Sequence, residues 1–466
     1  MNDTLTRTGE HRIPVTSARD GQAPLTWAQR LQWDDTEWLK PHDHYYNQYR
    51  ILAVPEDCGL PELLDFLRVV VSRHESLRTR FPLDADGTPR QRLLATDELA
   101  VPVYRAADPD RDPAAAASEL AARLRGLRFD LTREPPLRCA VLEHDGSPRH
   151  LVLVVSHVAI DHTGIGLLTD ELESLLARRT TPPELPPVGR RPFEQAAEEA
   201  GAVNVRRSAA ALDYWAEILR AAPATTFDPP GGAPPPLDDP LRFGQVSMSS
   251  PALTRACRTV ADRLGVSGTT VVMAALNAVL GRLTGREQVP LKLIASNRGP
   301  AELRTMVGIT IASCVTLVPT GGRSFAEVVR DTGHAALRAY RKVPCDTVLL
   351  TALRAEVAAG RGVPRIDLAC GFNDLRATRP PLGAHDADGS TPAGPPAPTR
   401  FTWDGNRPRQ EVTLWYWVNE VDGTDVHHAL VDLWYLPRER TEELLRSVER
   451  MVVEAAGEGA GEGAPG

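Results

Sequence analysis

The chain has 466 residues, of which 42% are hydrophobic and 24% are charged, and these proportions are typical of a globular protein. Its formal net charge is -8, which argues against a basic surface for nucleic acid. No stretch approaches the roughly 18 apolar residues of a membrane span, and residues 1–20 hold no apolar leader. We therefore expect a cytoplasmic protein that binds neither nucleic acid nor membranes.

The first half of the chain predicts a mixed α/β domain over residues 21–180, preceded by a flexible lead at 1–20. Apolar residues alternate or recur at helical spacing. The predicted strands are 47–54, 138–143 and 150–156, and the predicted helices are 60–74 and 113–127. Asp145-Gly146-Ser147-Pro148 is a turn signal between the last two strands.

A proline-rich segment then predicts a linker at 181–200, because proline lacks the backbone donor and fixes φ. The second half predicts another α/β domain over residues 201–455. Its predicted helices are 203–220, two within 251–285 and 438–455, and its predicted strands are 289–295, 313–318, 366–373, 410–419 and 427–436. Residues 379–399 predict a loop or lid, and residues 456–466 predict a disordered tail.

The six cysteines are scattered, without a CxxC pair or zinc-ligand spacing, and this pattern favours buried free thiols. They are Cys58, Cys139, Cys257, Cys314, Cys345 and Cys370. Among the late tryptophans, Trp415 and Trp417 are two residues apart and share one face of a strand. Core packing or the lining of a tunnel explains them better than a cofactor site.

The most informative stretch is 156–164, where an apolar run at 151–155 ends and an amphipathic run at 165–176 begins. This pattern predicts a buried strand, a tight loop and a helix, with His157 and Asp161 in the loop. An imidazole can act as a general base near neutral pH. His157 could equally be a hydrogen-bonded core histidine, and Asp161 an N-cap worth about 1 kcal/mol. A metal site that adds His162 is disfavoured, because the spacing places no fourth ligand.

This stretch resembles the central H-H-x-x-x-D-G motif of condensation domains from nonribosomal peptide synthetases, which belong to the chloramphenicol-acetyltransferase-like superfamily. Further stretches resemble the family's patterns in the same order, over roughly residues 22–455. They are residues 25–31, 73–81, 129–138, 212–215, 308–313, 343–346 and 371–374. Several matches in one order are far more specific than any single match.

The resemblance implies an α/β fold in which two chloramphenicol-acetyltransferase-like subdomains form a V around a central tunnel. It implies that His157 assists attack of an acceptor on a thioester, while Ser156 and Asp161 are structural. The motif aspartate of the family pairs with an arginine from the second half, for which Arg298 is the candidate and Arg78 the alternative. The substrates are expected on phosphopantetheine arms, with no cofactor bound by the chain itself.

Four positions depart from the family pattern, three of them in the motif. Ser156 replaces the first motif histidine, His162 the motif glycine, Gly164 the following serine, and Ala312 an asparagine. A histidine at 162 would adopt a costly backbone, narrow the tunnel or supply a second imidazole. The residues predicted to line the tunnel are His162, Gly164, Ala312, Ser313 and Asn373.

The resulting hypothesis is a freestanding condensation-type acyl transferase that forms an amide or ester in specialised metabolism. Acyl or peptidyl carrier proteins are expected to act in trans, because we find neither an adenylation signature nor a carrier attachment site. The acceptor is a small molecule with an amine or a hydroxyl. Two alternatives stay open: a catalytically silent domain that recruits a tailoring enzyme to a carrier, and a transferase that uses acyl-CoA.

Overall fold

A computed structural model of the chain describes residues 4–16, 19–178, 185, 187–376, 398–421 and 423–458. Four parts of the sequence-based predictions lie outside these residues. They are positions 1–3 and 17–18 of the predicted lead, positions 181–184 and 186 of the predicted linker, positions 379–397 of the predicted loop or lid, and positions 459–466 of the predicted tail.

The chain divides into two compact units that are not continuous in sequence. The first unit comprises Met1–Val205 together with Ser296–Ala312, and the second comprises Arg206–Ala295 together with Ser313–Gly466. The segment Ser296–Ala312 therefore joins a unit that the chain has left some ninety residues earlier. This discontinuity differs from the continuous C-terminal domain that composition predicts.

The first unit is built on a five-stranded sheet with the order β1-β5-β6-β7-β3. Its elements are β1 (Leu5–Thr16), β2 (Gly21–Pro24), α1 (Trp27–Leu39), β3 (Gln48–Ala53), α2 (Leu60–Arg73), β4 (Arg90–Leu93), β5 (Thr96–Ala106), α3 (Pro113–Arg125), β6 (Leu137–His144), β7 (Ser147–Val155), α4 (His162–Arg178) and α5 (Pro192–Glu199). Apolar residues of α2 and α4 form one core cluster with the sheet, and those of α3 form another. Helices thus cover the sheet on both faces, as in other α/β folds.

Sequence patterns locate several of these elements correctly and misplace others. The turn at Asp145 and Gly146, with φ of 52° and 74°, joins β6 to β7 as predicted. The flexible lead at 1–20 is wrong for Leu5–Thr16, which pairs along its length with β5. Because β1 buries only three of its residues, hydrogen bonding to β5 and not apolar alternation defines it. The predicted linker is likewise helical at Pro192–Glu199.

The second unit is built on a seven-stranded sheet with the order β10-β9-β11-β13-β14-β8-β12. Its elements are α6 (Ala202–Ala221), β8 (Phe243–Ser249), α7 (Pro251–Leu264), α8 (Gly268–Thr284), β9 (Gln288–Ala295), β10 (Ala312–Pro319), α10 (Phe325–Tyr340), α11 (Thr347–Gly360), β11 (Cys370–Asp374), β12 (Arg400–Arg407), β13 (Leu414–Val421), β14 (Thr424–Asp432) and α12 (Arg438–Glu458). The short helix α9 (Ala301–Arg304) lies between β9 and β10, in the segment assigned to the first unit. One large apolar cluster joins these helices to the sheet. The predicted closing helix is confirmed and extends to Glu458, which shortens the predicted tail.

Two further sequence-based predictions concern the state of the cysteines and the presence of membrane-spanning helices. All six cysteines are buried and free, which confirms the prediction from their spacing. Among the described residues, no single helix is long and apolar enough to cross a membrane, although α7 and α8 pass that test together as a pair bent by 105°. Helix α8 is buried over most of its length in the apolar cluster.

Candidate functional site

The site is built where β7 ends and α4 begins, in the first unit. The apolar run in β7 is fully buried, and the Ser156 amide continues the strand pairing by donating to the Pro136 carbonyl at 2.9 Å. A tight turn follows, in which the Ala159 amide donates to the Ser156 carbonyl at 3.0 Å. The backbone then enters α4 at His162. The strand, loop and helix predicted for this stretch are therefore present.

His157 lies in the turn with its ring held by the backbone. Its Nδ1 is 2.7 Å from the carbonyl oxygen of Ile160. A carbonyl can only accept, so Nδ1 carries the proton and Nε2 carries the lone pair. Nε2 makes no hydrogen bond with a described residue and is not fully buried. Burial lowers the pKa of His157 from 6.5, which favours the neutral imidazole at neutral pH.

Tyr46 packs beside this imidazole and was not found from the sequence. Its ring centroid lies 6.3 Å from that of His157, with the planes tilted by 58°. Tyr46 ends a short 3₁₀ turn, Asp43–Tyr46, that precedes β3, and β3 pairs with β7. The sequence signal was weak, because no spacing in this polar loop links Tyr45 or Tyr46 to His157.

Asp161 is both an N-cap and one partner of a buried ion pair. Its Oδ1 accepts from the amide of Gly164 at 2.7 Å, which caps the first turn of α4. The same oxygen lies 2.8 Å from a guanidinium nitrogen of Arg298. Its Oδ2 accepts from the amide of Thr310 at 2.9 Å and lies 3.2 Å from the Thr310 hydroxyl, whose proton goes to the Ser296 carbonyl at 2.7 Å. The two interpretations left open by the sequence are thus both present.

Arg298 fixes the returning segment 296–312 against this carboxylate. Besides Asp161, its guanidinium donates to the carbonyls of Leu303 at 2.7 Å, Met306 at 2.8 Å and Gly308 at 3.1 Å. Asn297, the preceding residue, has φ of 51°, a left-handed conformation that asparagine tolerates better than most residues. The pairing of Asp161 with Arg298 predicted from the sequence is therefore present.

Arg78, the alternative partner for Asp161, has a different role. Its guanidinium donates to the carbonyls of Val71 and Ser72 at the end of α2, and to that of Leu94 after β4, at 3.2 Å each. The neighbouring His74 places its Nε2 2.9 Å from a carboxylate oxygen of Glu171 on α4. This stretch therefore joins α2 to its neighbours, and Arg78 is not the partner of Asp161.

The two substituted motif positions in α4 have distinct local environments. His162 is the first residue of the helix and is partly exposed, and it is absent from the non-glycine residues with positive φ among the described residues. The expected backbone cost of a histidine there is therefore not found. At Gly164, a Cβ atom would lie 2.4 Å from the Gly308 carbonyl oxygen. This close approach of two backbones explains the glycine.

The remaining predicted site residues lie on strands of the seven-stranded sheet. Ala312 and Ser313 begin β10, and Asn373 lies on β11, with β9 between those two strands. Their shared lining of a tunnel stays a prediction. Within the described ranges, no group of three His, Cys, Asp or Glu side chains is arranged to hold a metal ion.

Comparison with known proteins identifies relatives of the chain. A family model described as "Condensation domain" matches residues 19–356. The phosphinothricin tripeptide synthetase PhsC of Streptomyces viridochromogenes is 31% identical over 71% of the chain and 31% of its own length. The AMB antimetabolite synthetase AmbB of Pseudomonas aeruginosa is 30% identical over 94% of the chain and 33% of its own length. The chain thus spans about a third of the length of these relatives.

Solved structures with the same fold have lower sequence identity. A condensation domain for chain release from the enacyloxin polyketide synthase has a TM-score of 0.72 and 21% identity, over 97% of this chain and 85% of its own. The teicoplanin X-domain in complex with OxyB has a TM-score of 0.69 and 19% identity, over 94% of each chain. The SgcC5 protein of Streptomyces globisporus has a TM-score of 0.68 and 20% identity, over 93% of this chain and 98% of its own. These similarities establish the mixed α/β fold.

Proposed function

Because this chain belongs to the condensation-domain family of nonribosomal peptide synthetases, we propose that it is an acyl transferase with His157 as its general base. The reaction joins a thioester acyl donor on a carrier protein to an amine or hydroxyl acceptor. The observation that carries the proposal is the 2.7 Å bond from Nδ1 of His157 to Ile160, which leaves the Nε2 lone pair available.

In this reaction His157 transfers one proton, and the acyl group moves from the thiol of the donor to the nitrogen or oxygen of the acceptor. Nε2 accepts the proton of the acceptor N–H or O–H as that nitrogen or oxygen bonds to the thioester carbonyl carbon. When the C–S bond breaks, the imidazolium returns the proton to the departing thiolate. The products are an amide or ester and the free thiol of the phosphopantetheine arm, so no cofactor bound by the chain is required.

Asp161 acts through the loop and not on the substrate. Its carboxylate is buried and accepts from Arg298 and from the amides of Gly164 and Thr310, so it is not placed to take a proton from the acceptor. The carboxylate instead holds the start of α4 against the returning segment. This fixes the backbone on which the Ile160 carbonyl orients His157.

The partners we propose follow from the tethered donor. Acyl or peptidyl carrier proteins would deliver the thioester in trans, and a small molecule would be the acceptor. Condensation domains act with carrier proteins in general. The six free cysteines support a reducing compartment such as the cytoplasm.

The test compares wild type with His157→Ala on acylated carrier proteins and a panel of amine and alcohol acceptors. We expect the variant to lose about 10²- to 10⁴-fold in kcat/KM, the range for a positioned general base. An exposed histidine on α10, His334, changed to alanine is the matched control and should retain wild-type turnover. Equal turnover by wild type and His157→Ala would contradict the general-base role.

The pH dependence of the same reaction is a second test of the general-base role of His157. His157 must be neutral to accept a proton, and burial lowers its pKa from 6.5. With an alcohol acceptor, which does not itself titrate in this range, we therefore expect kcat/KM to stay constant as the pH falls to about 6.5 and to decrease only below that value. A decrease that begins well above pH 6.5 would show that a different group limits the rate.

A second candidate function is recruitment of a tailoring enzyme to a carrier without acyl transfer. It is supported by the similarity to the X-domain solved with OxyB, and by Ser156 and His162 at motif positions where the family has histidine and glycine. Recovery of an oxygenase by the wild-type chain, together with no turnover on any acylated carrier, would favour this function. Turnover with soluble acyl-CoA alone would favour the third, carrier-independent transferase.

A further inference from the structure

The seven-stranded sheet has one face that its own helices do not fill. Along β13, Leu414, Tyr416 and Val418 belong to the apolar core, so the alternate residues Trp415 and Trp417 lie on the opposite face. Both indoles are only partly buried. The sequence predicts their common face correctly, and the structure shows that this face is outside the core.

Trp415 lies flat against the neighbouring strand. Gly371 on β11 is paired with it, and a Cβ atom at that glycine would lie 2.1 Å from the indole ring. Only glycine at 371 leaves room for the ring there. On the next strand, the ammonium of Lys292 sits 5.4 Å from the centre of the same ring, at a distance typical of a cation–π contact. Lys292, Gly371 and Trp415 thus form one cross-strand row.

Lys292 has no anionic partner within the described part of the chain. No described residue forms an ion pair with it or accepts a hydrogen bond from it, although an ammonium has three donors. Asp404, an acidic residue that contacts this face, lies on β12, five strand spacings or about 24 Å away. By contrast, Lys40 is paired with Glu37. The partly buried charge of Lys292 is therefore available to a ligand.

A second polar group on this side of the sheet, the buried Nε2 of His428, also lacks a hydrogen-bond partner among the described residues. Ser247 donates its single hydroxyl proton to Asp404 at 2.5 Å, so it must accept from Nδ1 of His428 at 2.9 Å. Nε2 therefore carries the lone pair and requires an O–H or N–H donor. Trp417 stacks on the imidazole at 4.8 Å with an interplanar angle of 8°, which fixes the ring plane.

We propose that this face binds a free acceptor that carries a carboxylate and a hydroxyl or amine, with Lys292 as the residue that selects the carboxylate. The inference rests on the proposed transfer to a small-molecule acceptor. An acceptor tethered to a carrier has its carboxyl group consumed in the thioester, whereas a free acceptor keeps an anion that needs a cation. Trp415 and Trp417 supply the surface between Lys292 and His428, which lie three strands apart.

The test measures binding by isothermal titration calorimetry on the full chain without any donor. The probes are aromatic and alicyclic hydroxy or amino carboxylic acids, each paired with its neutral primary amide. We expect at least one acid to bind about tenfold or more tightly than its amide, because a charge-assisted hydrogen bond is lost in the amide. Lys292→Met should abolish this preference and Lys292→Arg should retain it.

Lys342→Met is the matched control, since it removes one of the other two lysines and should leave the preference unchanged. The proposal is overturned if no acid in the panel is preferred over its amide, or if the preference survives in Lys292→Met. Binding of pantetheine 4′-phosphate that depends on Lys292, with no preference among the carboxylates, would also overturn it by assigning the cation to a phosphate. Because no acyl transfer is measured, these outcomes are independent of the His157 experiment.

Discussion

At the scale of single residues, the loop at the end of β7 depends on backbone groups as much as on side chains. The Ile160 carbonyl determines which nitrogen of His157 carries its proton. The missing Cβ of Gly164 lets the Gly308 carbonyl approach the first turn of α4, where it also accepts from the Asp161 amide at 3.2 Å. A sequence motif lists residue types only, so it shows neither of these contacts of the Ile160 and Gly308 carbonyls.

This packing predicts opposite effects for two glycines of α4. Gly164→Ala would place a methyl group 2.4 Å from the Gly308 oxygen, and we expect the free energy of unfolding to fall by about 1–3 kcal/mol. At Gly166 no atom lies within 4 Å of a new Cβ. Gly166→Ala should therefore raise the free energy of unfolding by about 0.5–1 kcal/mol, because alanine has the higher helix propensity. Urea unfolding measures both, and equal effects would contradict the close backbone approach.

At the scale of elements, the segment Ser296–Ala312 is the decisive part of the site. Its contacts to Asp161 are made by the Arg298 side chain, the Thr310 amide and hydroxyl, and the Gly308 carbonyl. Ser76 adds a hydrogen bond from its hydroxyl to the Val307 carbonyl at 2.7 Å. A short stretch with little regular structure is thus held by side chains from elements far away in sequence.

Breaking the ion pair should release this segment. Asp161→Asn leaves the buried guanidinium of Arg298 without its counter-charge, and we expect a loss of about 3–5 kcal/mol in the free energy of unfolding. Hydrogen exchange at the Thr310 amide should accelerate, because its acceptor is weakened. Asp228→Asn, which removes the exposed partner of Arg286, is the control and should cost less than about 1 kcal/mol. Comparable losses in the two variants would refute the buried ion pair.

At the scale of the whole molecule, stability should fall towards acid because of a histidine in the core of the second unit. His427 is fully buried and its Nδ1 lies 2.8 Å from the Tyr416 hydroxyl. Burial lowers the pKa of His427 from 6.5 to about 3. Between these values the unfolded chain binds a proton that the folded chain does not, so lowering the pH favours unfolding.

We expect this one group to reduce the free energy of unfolding by up to about 1.4 kcal/mol for each pH unit between 6.5 and about 3. The slope of the free energy of unfolding against pH, measured by urea unfolding, reports how many protons the chain binds when it unfolds. In His427→Phe this number should be lower by one across that window. Tyr416→Phe is the control, since it removes the hydroxyl partner but keeps the imidazole. A pH dependence that is the same in His427→Phe and wild type would show that His427 is not the group that titrates.

Much of the fold follows from local patterns, and the exceptions have a common cause. The runs around α2, α8 and β7 have strong apolar periodicity or burial, and their predicted positions are confirmed. The edge strands β1 and β12 alternate weakly or are mostly exposed, so their sequences resemble loops. They are strands because a neighbouring strand offers hydrogen bonds, a fact that lies outside their own sequence.

The sequence by itself determines the family, the loop that carries His157 and Asp161, and the candidate Arg298, because these depend on residue types at fixed spacing. Only the tertiary structure decides which nitrogen of His157 is free, why position 164 is glycine and that Lys292 lies over Trp415 without an anion. These features arise where segments distant in the chain approach within a few ångströms. Local periodicity contains no information about such contacts.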